Sequence, residues 1–304
     1  MITRRSLLKS VAVGAAAVAA PATLLAQGGG RAQGAQTANA VEELTLQGNI
    51  KQSVSRWCFG NIPMDEFCRI CKRLGMVGID LVSENEWDVV NSHDLIVTMA
   101  NGPSPSGIGH GFNRTQNHEG LINAFTRLIP IAAEKKVPNI ICFSGNRGGG
   151  LTDEQGLENC VVGLIPLMPI AERYGVTLQM ELLNSKRDHG GYQADKTPWA
   201  AEIVRRVGSP RLKLLYDIYH MQIMEGDIID TIRRFRNEIG HYHTAGVPGR
   251  NELDDRQEKN YPAIMRAIRD LEGGPNGFVA HEFIPRDRAR QLEVLRDAVL
   301  LCDV

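Results

Sequence analysis

The chain repeats one pattern: a short apolar run is followed by a longer segment with helical periodicity, eight times over. Short apolar runs bounded by turn residues are typical of buried strands, and apolar residues three and four apart are typical of amphipathic helices. The eight predicted strands are SVSRWCFG (53–60), GIDLVS (78–83), LIVTMANG (95–102), NIICFSG (139–145), TLQMELLN (177–184), LKLLYDIY (212–219), GHYHTAGV (240–247) and GFVAHEFI (277–284).

Helix boundaries are marked by capping residues. Thr152 precedes one predicted helix and Asp227 precedes another, and both residue types favour the first position of a helix. Gly75, Gly175 and Gly240 each follow a helical pattern, where glycine commonly ends a helix in the left-handed conformation. These signals predict helices between the strands.

Strand–helix alternation predicts a parallel sheet covered by helices, and therefore an α/β fold. Eight units in the 260 residues of 45–304 match the size of a (β/α)8 TIM barrel. A doubly wound open sheet is the rival, but no GxGxxG follows the first strand. We find no linker within 45–304 and predict a single barrel domain there.

Residues 1–40 predict an export signal in front of the barrel. TRRSLLK, with paired Arg4 and Arg5, precedes the Ala-rich stretch SVAVGAAAVAAPATLLA, the order of a twin-arginine signal peptide. A membrane anchor is the alternative, but the apolar stretch is short and Pro21 interrupts it. We expect recognition by the twin-arginine export machinery, cleavage after Ala26 or Ala40, and a periplasmic or secreted protein.

Charge disfavours a nucleic-acid partner. Loss of residues 1–40 removes four basic residues and no acidic one, which leaves 30 Lys and Arg against 35 Asp and Glu. Six cysteines are too few for a disulfide framework in a chain of 304 residues. Cys68 and Cys71 form one CxxC within a helical pattern, and we interpret them as a buried helix face.

Acids and histidines gather at the predicted ends of strands five to eight. In a barrel these ends meet at one rim, which is where such folds build active sites. The residues are Glu181 and Asn184, Asp217 and His220, His241 and His243, and His281 and Glu282. Three carboxylates in one barrel mouth need a positive partner, and no Lys or Arg lies within these strand ends.

A divalent cation answers that need. Of the two histidines in strand seven, His243 lies nearer the rim and is the better ligand, with His241 one layer below. His281 should face the helices, because its neighbour Glu282 faces the barrel. The predicted metal ligands are Glu181, Asp217, His243 and Glu282, a set that suits Mn2+, Mg2+ or Co2+.

At these residues the chain resembles hydroxypyruvate isomerases of the xylose isomerase-like superfamily of sugar isomerases and epimerases. The resemblance is carried by YDIYHMQIMEGD (216–227), GHYHTAGVPGRNE (240–252), EKNY (258–261) and HEFIP (281–285). It implies a TIM barrel and the same four metal ligands.

The resemblance also implies a mechanism. The metal would stabilise an enediolate of a small hydroxy-carbonyl substrate, such as hydroxypyruvate, a ketose or a sugar acid, while Glu181 and Glu282 move the proton. His220 and Arg250 would bind the substrate. For Arg250, the alternative is an ion pair within its loop, with Glu252 or Asp254.

Other functions stay open at the level of sequence. A lyase or dehydratase acting on keto-sugars could use the same metal chemistry, and a sugar-binding barrel without catalysis could share the fold. A trinuclear zinc endonuclease is disfavoured by the acidic mature charge and the few histidines. The loop NSKRDHGGYQADKTP after strand five differs from the family pattern, so the substrate is open, as is assembly into a homo-oligomer.

Overall fold

The computed structural model describes Ala38, 41–274 and 277–304. Apart from Ala38, the predicted signal peptide lies outside these residues, so the export signal and the boundary at residue 40 stay predictions. All eight predicted strands are present, each shorter than its apolar run. They are β1 (Gln52–Ser55), β2 (Gly78–Asp80), β3 (Ile96–Val97), β4 (Asn139–Cys142), β5 (Thr177–Glu181), β6 (Leu212–Asp217), β7 (Ile239–Thr244) and β8 (Val279–His281).

The strands form one parallel sheet in the order β3-β2-β1-β8-β7-β6-β5-β4. The two outer strands meet through Ala100, just beyond β3. Its amide donates to the carbonyl of Asn139 (2.9 Å), and its carbonyl accepts from the amide of Ile141 (3.1 Å). This bridge closes the sheet, which confirms the predicted TIM barrel.

Ten α-helices surround the barrel in the described chain. They are α1 (Met64–Arg73), α2 (Trp87–Ser92), α3 (His118–Glu134), α4 (Asp153–Leu164), α5 (Met168–Tyr174), α6 (Thr197–Val207), α7 (Ile218–Met224), α8 (Ile228–Arg234), α9 (Tyr261–Arg269) and α10 (Gln291–Cys302). Across the residues that the structure describes, none of these helices is long and apolar enough to cross a bilayer.

Three of the five boundary signals hold. Thr152 and Gln155 form a reciprocal capping box at the start of α4. Gly75 and Gly175 follow α1 and α5 with φ values of 71° and 72°, as a left-handed helix end requires.

Of the other two signals, Gly240 is wrong, and Asp227 marks the correct helix start without capping it. Gly240 lies inside β7, where a Cβ would come within 2.8 Å of the Lys213 side chain, so close packing rather than a helix end explains this glycine. Asp227 precedes α8 but its side chain makes no capping bond, because its backbone is left-handed (φ 45°) and not extended.

Two apolar layers hold the barrel together. The outer layer lies between sheet and helices and includes fully buried Phe67, Phe125 and Leu295. The inner layer consists of buried Met99, Ile141 and Leu215, in a separate cluster inside the barrel. Such side chains contribute about 1.5–3 kcal/mol each when buried, so the rim can carry polar residues that add nothing to stability.

Cys68 and Cys71 lie on the buried face of α1, as predicted, with no exposed surface. Burial raises the pKa of Cys68 to about 11 and that of Cys71 well above its ordinary value. These thiols are therefore packing groups.

Candidate active site

The structure brings together the four residues predicted to bind a metal. Glu181 ends β5, Asp217 ends β6, His243 lies in β7 and Glu282 directly follows β8. One potential ligand atom from each lies within 4.8 Å of the other three, and all four side chains are buried. The parallel register places Asp217 beside His243, which explains why neighbouring strands deliver them to one point.

His243 faces the carboxylates with its Nδ1 atom. That atom lies 2.9 Å from Glu282 Oε2 and 3.4 Å from Glu181 Oε1. The other ring nitrogen, Nε2, lies 3.0 Å from Asp80 Oδ1. An ionised carboxylate only accepts hydrogen bonds, so Nε2 carries a hydrogen toward Asp80, and Nδ1, which also faces carboxylates here, can bind a cation once it gives up its own hydrogen.

Asp80 was not singled out from the sequence. It ends β2 and is fully buried, with Oδ2 accepting from Thr98 Oγ1 (2.7 Å) and lying 2.9 Å from His241 Nε2. Burial alone would raise the pKa of Asp80, but His241 and His243 hold it well below its usual value. The sequence did contain a signal for Asp80. It is a carboxylate inside the apolar run GIDLV, and a buried charge needs a partner.

His241 lies one layer below the four-residue cluster, as expected, where it contacts Asp80 and packs edge to face against the His243 ring at 5.4 Å between centroids. His281 faces away from the cluster, also as expected. Its Nε2 lies 2.9 Å from Gln52 Oε1, and the Gln52 amide donates to the carbonyl of Val299 in α10. Position along the strand therefore assigned His241 correctly, and period-two alternation assigned His281 correctly.

His220 lies in the first turn of α7, beside the cluster. Asp217 caps this helix: its Oδ1 accepts from the amides of Tyr219 (2.7 Å) and His220 (3.1 Å). Its Oδ2 lies 3.6 Å from His220 Nε2. Asp217 thus has one oxygen committed to the helix and one directed toward the site.

The tautomer of His220 is fixed by Asn184. The Asn184 Oδ1 atom accepts from the amides of Arg187 and Asp188, so its Nδ2 must be the atom 2.6 Å from His220 Nδ1. Nδ1 accepts this bond, and the hydrogen lies on Nε2. Burial, with the charge of Arg250, lowers the pKa of His220 well below its usual value. His220 is therefore a neutral donor. Its buried Nε2 has no hydrogen-bond partner among the described residues.

Arg250 also reaches the cluster, from the loop after β7. Its Nη2 atom lies 2.6 Å from Glu282 Oε2 and 3.7 Å from Asp217 Oδ2. The guanidinium lies between the rings of Trp57 and Tyr219, at 5.3 and 5.4 Å from their centroids.

The alternative loop ion pair for Arg250 is not formed. Glu252 and Asp254 contact other arginines, since both accept hydrogen bonds from Arg256 and from Arg286. Because Arg256 and Arg286 pair with the acids of this loop, the Arg250 side chain can extend to Glu282 at the barrel mouth.

The carboxylates respond differently to this environment. Burial raises the pKa of Glu181. Burial also raises the pKa of Asp217, to about 7, because the charge of Glu282 adds to the effect and Arg250 opposes it only in part. Burial would also raise the pKa of Glu282, but Arg250 and His243 outweigh it and hold that pKa well below the usual value. Burial lowers the pKa of His243, yet the surrounding acids raise it overall. Two of the three acids thus hold protons more readily than usual, because the positive groups of the site do not offset their burial.

The donor set fits a divalent metal. Three carboxylates and one tautomer-fixed imidazole, all buried and within 4.8 Å, supply the oxygen-rich ligands of Mn2+, Mg2+ or Co2+. Asp80 behind His243 supplies the carboxylate–imidazole pair that commonly orients a metal-binding histidine.

A cavity of about 400 Å3 opens above the cluster. One side is polar, with Glu181, Glu282, His189 and Arg250, and the other is apolar. The apolar wall consists of Leu81, Ile108, Ile141, Phe143 and Leu183. The cavity therefore presents acids and donors to one face of a ligand and hydrocarbon to the other.

The model of the xylose isomerase-like TIM barrel family matches residues 89–298. The chain belongs to this family. The match includes β3 to β8, and with them all four residues of the cluster.

Named relatives share parts of the chain. A putative hydroxypyruvate isomerase from Homo sapiens is 38% identical over 118 residues, which are 38% of this chain and 42% of the relative. The hydroxypyruvate isomerase of Escherichia coli K12 is 27% identical over 224 residues, 70% of this chain and 84% of the relative. The chain thus spans about two fifths of the first relative's length and most of the second's.

A solved structure shows the same fold. The 3-keto-D-glucoside 4-epimerase of E. coli, in its apo form, aligns with a TM-score of 0.67 at 20% identity, covering 83% of this chain and 98% of its own.

Proposed function

We propose that this family member is a metal-dependent isomerase or epimerase of a small hydroxy-carbonyl carbohydrate. The observation that carries the proposal is the convergence of Glu181, Asp217, Glu282 and the tautomer-fixed His243 at the base of one cavity. The names of the relatives, hydroxypyruvate isomerases, support the reaction class.

The four residues of the cluster would hold the divalent ion. When bound, the ion would act as a Lewis acid that polarises the substrate carbonyl and acidifies the neighbouring C–H. Mn2+, Mg2+ and Co2+ all suit this donor set.

Glu181 and Glu282 would move the proton. They enter the cavity from β5 and from the end of β8, and both line it. One carboxylate takes the proton from the carbon beside the carbonyl, and the other returns a proton. Return to the former carbonyl carbon, with the hydroxyl proton passing to the former carbonyl oxygen, gives isomerisation, and return to the opposite face of the same carbon gives epimerisation.

His220 and Arg250 would orient the substrate. The Nε2–H of His220 is a donor 3.6 Å from Asp217 Oδ2, and substrate oxygen is the acceptor it lacks. The Arg250 guanidinium lines the cavity, where its fork suits a substrate hydroxyl pair or carboxylate.

Cavity size favours a ketose or sugar acid over hydroxypyruvate. A volume of about 400 Å3 lies within the range of pockets that enclose drug-sized ligands. A three-carbon acid would leave most of it filled with water, whereas a five- or six-carbon sugar can place its C–H face on the wall of Ile108, Ile141 and Phe143.

Export is the remaining part of the proposal. The twin-arginine pattern at Arg4 and Arg5 supports a periplasmic or secreted enzyme, and hence a substrate met outside the cytoplasm.

The function is tested by incubating the Mn2+-loaded protein in D2O with ketoses, 3-keto sugars and hydroxypyruvate. We expect deuterium at the carbon beside the carbonyl, an isomer or epimer as product, and the highest kcat/KM on a sugar of five or six carbons. Glu181→Gln and Glu282→Gln should each lower turnover by at least about 100-fold, since general acid–base groups contribute that much. Glu134→Gln, on an exposed part of α3, is the matched control and should not.

Each other outcome has a meaning. An unsaturated product would show that the enzyme is a lyase or dehydratase. A sugar that binds but never acquires deuterium would assign a binding protein. Turnover within a few-fold of the unmodified protein in either glutamine variant would refute the proton-transfer roles.

A further inference from the structure

Trp57 connects the first strand to the cluster. It lies in the 3-10 turn Arg56–Phe59, directly after β1, and 45% of its surface is exposed. Its indole N–H nevertheless points inward and donates to Glu282 Oε1 at 2.7 Å. A half-exposed tryptophan contributes less burial than a core residue, so hydrophobic packing alone does not account for this geometry.

This bond separates the two oxygens of Glu282. Oε1 accepts from the indole, while Oε2 lies 2.9 Å from His243 Nδ1 and 2.6 Å from Arg250 Nη2. A carboxylate held at both oxygens cannot rotate about its last bond without losing a hydrogen bond. Oε2 is therefore kept toward the cluster.

Glu181 has no comparable restraint. Among the described residues, the polar contact of its carboxylate is with His243 Nδ1, at 3.4 Å. Hydrogen bonds to the charged form make a carboxylate a weaker proton acceptor. The donors around the cluster thus hold the Glu282 carboxylate in place and leave the Glu181 carboxylate freer to move.

Trp57 restrains Arg250 as well. The guanidinium carbon lies 5.3 Å from the centre of the indole ring, on the side where Arg250 reaches Glu282. One side chain therefore contacts a proposed metal ligand through its N–H and a proposed substrate-binding residue through its ring.

We propose that Trp57 is a positioning residue that fixes the Glu282 carboxylate by its indole N–H and leaves Glu181 as the more mobile proton carrier. This inference rests on the proposed function, and it assigns a role to the turn after β1, a strand that brings no acid to the site.

Trp57→Phe tests the inference, because it removes the N–H and keeps a ring against Arg250. We expect kcat to fall about 10–100-fold, the usual effect of losing a group that orients a metal ligand, with a smaller change in KM. Affinity for Mn2+, measured by calorimetry, should fall as well. Trp57→His retains a ring N–H and should recover part of both losses.

Trp199→Phe is the matched control. Its indole N–H donates to the backbone carbonyl of Asp153 at 3.1 Å, and Trp199 does not line the barrel-mouth cavity. This variant should match the unmodified protein in kcat and in Mn2+ affinity.

Indole N–H signals in 15N-labelled protein supply a readout that needs no substrate. The chain has three tryptophans, so the Trp57 signal is assigned by its loss in Trp57→Phe. Glu282→Gln should shift that signal and leave the Trp199 signal in place.

The inference is overturned if a folded Trp57→Phe protein binds Mn2+ with unchanged affinity. It is also overturned if the Trp57 indole N–H signal does not shift in Glu282→Gln. If no substrate turns over but both readouts change as expected, the positioning role of Trp57 stands and the proposed reaction is what fails.

Discussion

Replacement of Asp80 by Asn should weaken metal binding although Asp80 is not among the proposed ligands. Asp80 accepts the Nε2–H of His243 at 3.0 Å and thereby leaves Nδ1, which faces the acids, as the nitrogen that can bind a cation. An amide has no negative charge to stabilise that hydrogen. If its NH2 group turns toward His243, the imidazole must move its hydrogen to Nδ1, where it would occupy the position of the cation.

Two estimates give the size of the effect. Loss of a carboxylate behind a metal-binding histidine typically lowers metal affinity about 10–100-fold, or ~1.4–2.7 kcal/mol. A hydrogen bond to a charged group contributes about 1.5–3 kcal/mol. The two ranges agree, so we expect the Kd for Mn2+ to rise by one to two orders of magnitude in Asp80→Asn.

Calorimetric titration of Mn2+ into chelator-treated protein measures this change. Thr98→Val is the matched control, because it removes the hydroxyl that donates to Asp80 Oδ2 and leaves the contact with His243 intact. Its effect on Kd should be clearly smaller. A folded Asp80→Asn protein that binds Mn2+ within twofold of the unmodified protein would refute the idea that Asp80 controls the tautomer of His243.

Three further predictions follow from the site and the leader. Exhaustive chelation should abolish turnover, and Mn2+, Mg2+ or Co2+ should restore it, because three buried acids would otherwise repel one another. Full activity in protein that elemental analysis shows to be metal-free would contradict the metal site. Arg250→Met should raise KM at least about tenfold, since a charged substrate contact is lost, whereas Arg286→Met, which affects only Glu252 and Asp254, should leave KM unchanged in steady-state assays. Replacement of Arg4 and Arg5 by Lys should stop export of a fused reporter, and continued export in cell fractionation would exclude the twin-arginine route.

The barrel was predictable because its signals are local. Each apolar run and each helical pattern lies within a few tens of residues, and period two alone placed His243 on the barrel side and His281 on the helix side. Glu181 and Asp217 follow from the same rule, because parallel strands bring their ends to one rim.

The hydrogen-bond partners around the cluster were not predictable. Asp80 reaches His243 across 163 residues of sequence, and Trp57 reaches Glu282 across 225. No pattern within a strand specifies which residue will lie behind a histidine after the barrel closes. Gly240 was misread for a similar reason: glycine is favoured both where a chain turns and where two strands pack closely, and only the Lys213 side chain distinguishes the cases.

The six cysteines, all buried and unpaired, bear on the proposed export of this protein. A thiol without solvent contact is shielded from oxidants in solution, so the folded barrel would keep its cysteines reduced even in an oxidising space. An unfolded chain delivered there would expose all six to random pairing. If the protein is exported as proposed, folding before transport would preserve a reduced core, and transport before folding would expose the thiols to mispairing.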